Sequence, residues 1–212
     1  MRIIDITRPL ERRTAVFPGD APFSLTWTER LQDGAPVNLS KIEGSPHVGT
    51  HADAPVHVRD GAPGIDELPL LPFLGPARVV AAAPAEDGLL YPSVVAHLDL
   101  ADPPRILFKT GTFPDTTQWN ARYAAISPEL GRRLGAAGVI LAGIDTPSVD
   151  PSDSEHLPGH RALLEGGLCW LENLDLSDVE AGVYWLAALP LRIKGADGSP
   201  VRAVLIDGLL TT

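Results

Sequence analysis

The chain has 212 residues, 44% hydrophobic and 21% charged, enough for one well-cored domain and rather short for two. A formal net charge of -10 argues against a nucleic-acid or anionic-membrane partner. No apolar run approaches the roughly 20 residues that cross a bilayer, and Cys169 is the sole cysteine, so a single domain over residues 1–212 in a reducing, cytoplasmic compartment is expected.

Met1-Arg2-Ile3-Ile4-Asp5 opens no signal peptide; "RIID" reads as a strand, and "VNLSKIEG" near 37 as another. The Pro-rich stretch from 60 to 76 reads as a long surface connection with short turns in it. "ARVVAAA" near 77 and "RILFKT" near 105 follow as strands, with "YPSVVAHLD" between them as a possible helix. "SPELGRRLGAAG" has Ser127 as N-cap, Pro128 at the first helical position, Glu129 in the first turn and Gly138 as its stop. "AGVILAGID" (137 to 145), "LCWLENLDL" (168 to 176), "GVYWLAALPL" (182 to 191) and "VRAVLIDGLL" (201 to 210) are apolar enough to be strands, several of them buried on both faces. A helix over "LPGHRALLEGG", with Pro158 near its start and Gly166-Gly167 at its end, falls before the second of these. The pattern predicts an α/β domain with a mixed, strand-rich sheet and a few helices.

"HVGTHADAPVH" gathers three of the chain's 6 histidines and an aspartate into residues 47 to 57. Pro46, Gly49 and Pro55 oppose a regular helix there. In an extended chain His51, Asp53, Pro55 and His57 share one face, and Ala52, Ala54, Val56 and Val58 point the other way into a core. Gly49 permits a bend that returns His47 toward His51 and Asp53. A lone histidine is ordinarily a surface or hydrogen-bonded core residue, and His97 is read so. Three imidazoles and a carboxylate converging without a cation would be costly, so the cluster points to zinc or a similar divalent ion.

Downstream, His156 belongs to the loop "DPSDSEH", whereas His160 falls in the first turn of a helix rigid enough to hold a ligand. Glu172 sits in the apolar run "LCWLENL", where a carboxylate needs a cation or a proton. Glu155 and Glu165 have no such setting and read as surface charges. The four tryptophans (27, 119, 170 and 185) read as core or interface residues.

The eleven-residue motif matches, at its defining positions, the His-x-Gly-Thr-His-x-Asp-x-Pro-x-His signature of the cyclase-type metal-dependent hydrolases, and within them the chain resembles the bacterial kynurenine formamidases. "VFPGD", "GIDTPSVDP", "LPGHRALLEGGLCWLEN" and "ALPLRIKGADGSPVRAVLI" extend the resemblance along nearly the whole chain. It implies a fold of the swivelling β/β/α type and a two-metal site. His47, His51 and Asp53 would hold the first ion; Asp53 would bridge to a second held by His160, with Glu172 touching both. His57 would be the general acid/base. Six such groups are too many for one ion but fit two about 3.5–4 Å apart.

The resemblance further implies a homodimer with two divalent ions per chain, zinc foremost. Its reaction would be hydrolysis of the small molecule N-formyl-L-kynurenine to L-kynurenine and formate in tryptophan degradation. One departure stands out. Where a tryptophan is expected immediately before "PGD", as an aromatic wall for the substrate, this chain has Phe17. Phenylalanine still stacks on an aniline ring, with less area and no N–H donor; the alternative is a core residue under the N-terminal strand. Two competing functions are the opening of a cyclic amide such as isatin, or of a lactone, and a metal-binding module without catalysis. A structural site would have no use for His57 beside a filled ligand set.

Overall fold

The computed structural model describes residues 1–209, so Leu210, the end of the last expected strand run, lies outside it. The strands are β1 (Arg2–Asp5), β2 (Ser24–Glu29), β3 (Leu39–Glu43), β4 (His51–Asp53), β5 (Leu74–Ala81), β6 (Leu89–Leu90), β7 (Arg105–Lys109), β8 (Ala125–Ile126), β9 (Leu141–Ile144), β10 (Cys169–Glu172), β11 (Gly182–Ala187), β12 (Gly198–Pro200) and β13 (Val204–Asp207). The helices are α1 (Pro128–Ala136) and α2 (Pro158–Glu165). Among the described residues, nine strands form one mixed sheet in the order β1-β13-β11-β5-β7-β9-β10-β4-β12. The inner strands β5, β7, β9 and β10 run parallel, and antiparallel strands complete both ends.

The parallel strands read as near-continuous apolar runs because both of their faces are covered. On one face, Leu130 and Leu134 of α1 and Leu163 of α2 pack on Ile106, Phe108, Ala142, Ile144 and Trp170. On the other, Val79, Leu107, Leu141 and Leu171 meet Ala52 from one end of the sheet and Leu186 and Leu205 from the other. A single core shared by both ends requires the sheet to curl, and each fully buried Leu or Ile contributes about 1.5–3 kcal/mol. Ser127 caps α1 as expected, its Oγ accepting from Leu130 N at 3.1 Å. The two helices touch through glycine: a Cβ at Gly135 would lie 2.7 Å from Gly166 Cα.

Several expectations need correcting. Residues 55–57 leave the strand for a single 3-10 turn, because Pro55 cannot donate to a ladder. Val56 still packs against the core of Ala52 and Ala54, as expected, but Val58 packs in the helix-side core instead. "YPSVVAHLD" forms only the 3-10 turn Pro92–Val95. The connection from 60 to 76 does contain short turns, but it is not wholly superficial: Ile65 and Phe73 are buried, and β5 already starts at Leu74. Strand β2 was not anticipated. It pairs only with β3, and Leu25, Trp27, Leu39 and Ile42 of that hairpin stay exposed, so no core face marks it. No helix among the described residues is long and apolar enough to cross a membrane.

Candidate metal centre

Strand β4 lies between β10 and β12, and its register sets Ala52 opposite Leu171, His51 opposite Glu172 and Gly198 opposite Asp53. The pleat buries Ala52 in the core and turns His51 and Asp53 to the other face, beside Glu172. Gly49, at φ 66°, makes the bend that brings His47 back, as its place in the motif predicts. Gly198 is equally constrained, since a Cβ there would stand 2.9 Å from His47 Cε1. Helix α2 delivers His160 from its first turn, and the 3-10 turn delivers His57, whose ring centroid lies 4.2 Å from that of His47 and 5.8 Å from that of His160. His97 and His156 are exposed and lie elsewhere.

Asp53 faces three imidazoles and Glu172 faces two. Asp53 Oδ1 is 2.8 Å from His47 Nδ1 and 3.2 Å from His51 Nε2, while Oδ2 is 3.3 Å from His160 Nε2. Glu172 Oε2 is 3.2 Å from His51 Nε2, and Oε1 is 3.3 Å from His160 Nε2. Both carboxylates and both of these rings are almost fully buried. His51 Nδ1 sits 2.8 Å from the Gly49 carbonyl, an arrangement that puts the ring proton on Nδ1. His51 Nε2 is then a buried lone pair with no hydrogen-bond partner, facing two carboxylates. His160 repeats the pattern, with Nδ1 2.6 Å from Asp150 Oδ2. Bare nitrogens and anionic oxygens facing one another are stable only around positive charge, and this donor set fits a divalent cation.

The titration behaviour has the same cause. Burial alone would suppress the His51 cation, but Asp53 and Glu172 outweigh it and hold the pKa up to about 10. His160 and His47 are also raised against burial, by Asp150 and Asp53 and by Asp53 respectively. Asp53 is held well below the usual carboxylate range despite burial, by His160, His47 and His51. His57 goes the opposite way, lowered by burial and by His47 and His160. The two carboxylates thus favour positive charge at the ligand-type rings, whereas burial and the neighbouring imidazoles favour the neutral form of His57.

Sequence reasoning missed three supporting groups. Asp150 accepts from Gly159 N at 2.7 Å, His160 N at 2.9 Å and the His160 ring. The available signal was Leu157, an N-cap with no acceptor of its own, which obliges another residue to satisfy the first turn of α2. Asp197 Oδ2 lies 3.1 Å from His47 Nε2 and 3.7 Å from His57 Nδ1. Trp170 donates from Nε1 to Asp53 Oδ2 at 2.8 Å, so it is a core tryptophan with a polar task. Nothing local in the sequence marks the last two.

A cavity of about 710 Å³ opens onto this cluster. Its buried end holds His51, His160 and Glu172; Phe17 and Trp119 line it further out, with Asp20 and Glu155. Phe17 is 44% exposed and meets Trp119 edge-on at 5.1 Å, so it is not a core residue. Trp119 is not a core residue but borders the cavity, and Glu155 is a surface charge that also borders it.

The family model described as "Putative cyclase" matches residues 4–151. A kynurenine formamidase of Salinibacter ruber is 47% identical over 213 residues, covering 98% of each chain. Among solved structures, a predicted metal-dependent hydrolase from Bacillus stearothermophilus superposes with a TM-score of 0.82 at 26% identity, over 96% of this chain and 97% of the other. Isatin hydrolase A from Labrenzia aggregata gives a TM-score of 0.77 at 26% identity, over 96% and 93%. Matched by the family model over more than half its length, and by a relative along almost all of it, this chain belongs to the cyclase family of metal-dependent hydrolases.

Proposed function

We propose that the protein is a metal-dependent arylformamidase that hydrolyses N-formyl-L-kynurenine to L-kynurenine and formate, a step of tryptophan degradation. The observation that carries the reading is the convergence of His51 Nε2, His160 Nε2, Asp53 and Glu172 at the buried end of a cavity walled by aromatic rings. The relative from Salinibacter ruber supports the choice of substrate. His47, His51 and Asp53 would hold one ion, His160 a second, with Asp53 and Glu172 contributing to both; two zinc ions per chain suit this set of imidazoles and carboxylates. When bound, such ions lower the pKa of coordinated water and polarise a carbonyl oxygen.

The chain's own groups supply the rest. Hydrolysis breaks the formyl C–N bond, placing the water oxygen on the carbonyl carbon and a proton on the aniline nitrogen. His57 is neutral near pH 7, with its ring 4.2 Å from that of His47 and 5.8 Å from that of His160, so it can accept a proton from water and pass it to the leaving nitrogen. Formyl is the smallest acyl group, and a confined space around the carboxylates selects against bulkier amides. Phe17 lines the cavity as part of an aromatic wall for the aryl ring. The exposed apolar residues of the β2–β3 hairpin support a homodimer, and the single buried cysteine suits a reducing, cytoplasmic setting.

The likeness to isatin hydrolase favours one second reading, hydrolysis of a cyclic aryl amide by the same groups. Metal analysis of the purified protein, followed by turnover of formyl-kynurenine against isatin, tests both. Faster turnover of isatin would transfer the assignment, and turnover of neither by metal-replete protein would leave a binding module.

A further inference from the structure

Trp119 belongs to the segment 113–123 between β7 and β8, remote in sequence from the histidine motif. It is half-buried and borders the cavity whose inner end holds His51, His160 and Glu172. Two buried rings stand behind it: Phe113 with its centroid 6.2 Å away and Tyr123 at 6.0 Å, both edge-on. Phe17 closes a further side at 5.1 Å and 71°. Ala15 N donates to Thr116 O at 2.7 Å, so the backbone that carries Phe17 is tied to the segment that carries Trp119. The indole is therefore braced by other rings, whereas Phe17 is 44% exposed and, among the described residues, pairs with Trp119 as its one ring neighbour. A rigid, braced aromatic surface binds a flat ligand at low cost in conformational entropy.

We infer that Trp119 is the residue that recognises the aryl ring of the substrate. Its indole supplies the stacking surface, and Phe17 acts as an edge-on brace and secondary wall. This rests on the aryl-formamide reading above and deepens it: selectivity for an aromatic over an aliphatic formamide resides in the 113–123 segment. Trp119 touches no reacting atom, so its contact persists from ground state to transition state and appears in KM rather than kcat.

The test combines binding and kinetics in metal-loaded protein. The probe is 2-aminoacetophenone, an aryl ketone with no bond to hydrolyse. Its Kd by calorimetry should weaken about ten-fold in Trp119→Leu, which keeps apolar bulk but no ring, and about two-fold in Trp119→Phe. The preference for formanilide over an N-alkyl formamide, as a ratio of kcat/KM, should fall about ten-fold in Trp119→Leu. Equal losses for both substrates with an unaltered Kd would make Trp119 a mere brace and overturn the inference. Should Trp119→Leu fail to fold, the unmutated protein labelled with fluorotryptophan decides the matter. The probe should shift the Trp119 resonance, assigned with Trp119→Phe, more than those of Trp27, Trp170 and Trp185; a static Trp119 signal refutes it. Wild-type protein that binds the probe but turns over no aryl formamide would sink the functional reading and leave Trp119 standing.

Discussion

Replacing Asp150 with Asn tests whether a buried carboxylate outside the proposed ligand set controls the second metal position. Asp150 is 1% exposed and accepts three N–H groups with two oxygens: Oδ1 takes Gly159 N, and Oδ2 takes both His160 N and His160 Nδ1. An asparagine can keep its oxygen at the Oδ2 position only by aiming its NH₂ at the Gly159 N–H. The flipped amide faces both His160 donors instead and pushes the ring proton to Nε2, the atom aimed at Asp53 and Glu172. Either orientation leaves a buried donor unsatisfied, at about 1–3 kcal/mol. For a chain of this size that is a loss of roughly 2–12 °C in Tm. The change at the ring should weaken the His160-side ion about 10–100-fold, the usual cost of removing a carboxylate behind a ligating histidine. Chelator competition with a metallochromic indicator measures the affinity, and calorimetry measures Tm on the same sample. A lowered Tm with two unaltered metal affinities would refute the reasoning and reduce Asp150 to a helix cap.

Elemental analysis of protein purified without chelator should give close to two metal equivalents per chain; Asp53→Asn should lose more metal than His160→Ala, because Asp53 faces histidines on both sides. A firm value of one after repletion would remove the bridged pair. His57→Ala should keep its metal while turnover falls by about 10²–10⁴; loss of metal as well would make His57 a ligand, since its ring lies within ligand range of His47 and Asp53. In metal-free protein the His51 pKa is raised from about 6.5 to about 10, so its contribution to stability is complete below about pH 6.5 and disappears as pH rises through 10. Asp53 is shifted down, so its contribution is present above about pH 4 and is lost on further acidification. Metal-free protein should accordingly lose Tm between pH 7 and 10 while metal-loaded protein holds it, and metal binding at pH 8 should release protons. Parallel Tm profiles with and without metal would contradict this.

The local chemistry of the histidine motif was legible because it depends only on spacing. Residues 51 and 53 share a face in any extended chain, Gly49 is free to bend, and the cap at Ser127 and the proline at 158 mark helices by short-range sterics. His160 was separable from His156 for the same reason: one lies in a helix turn and the other in a loop. Beyond that, the sequence pattern identified Glu172 as a carboxylate in need of a cation or a proton without saying which groups it would meet. That pairing comes from the antiparallel register of β10 on β4, a contact across about 120 residues set by which apolar faces close one curled core. The same closure places Asp150 behind His160, Asp197 beside His47 and Trp119 at the cavity. Their types are ordinary for loops and strand ends, so no local periodicity distinguishes them. His57 shows the limit from the other side. Its place in the histidine motif was readable, but its position follows from a proline that ends the ladder and a turn whose direction only the packed structure decides.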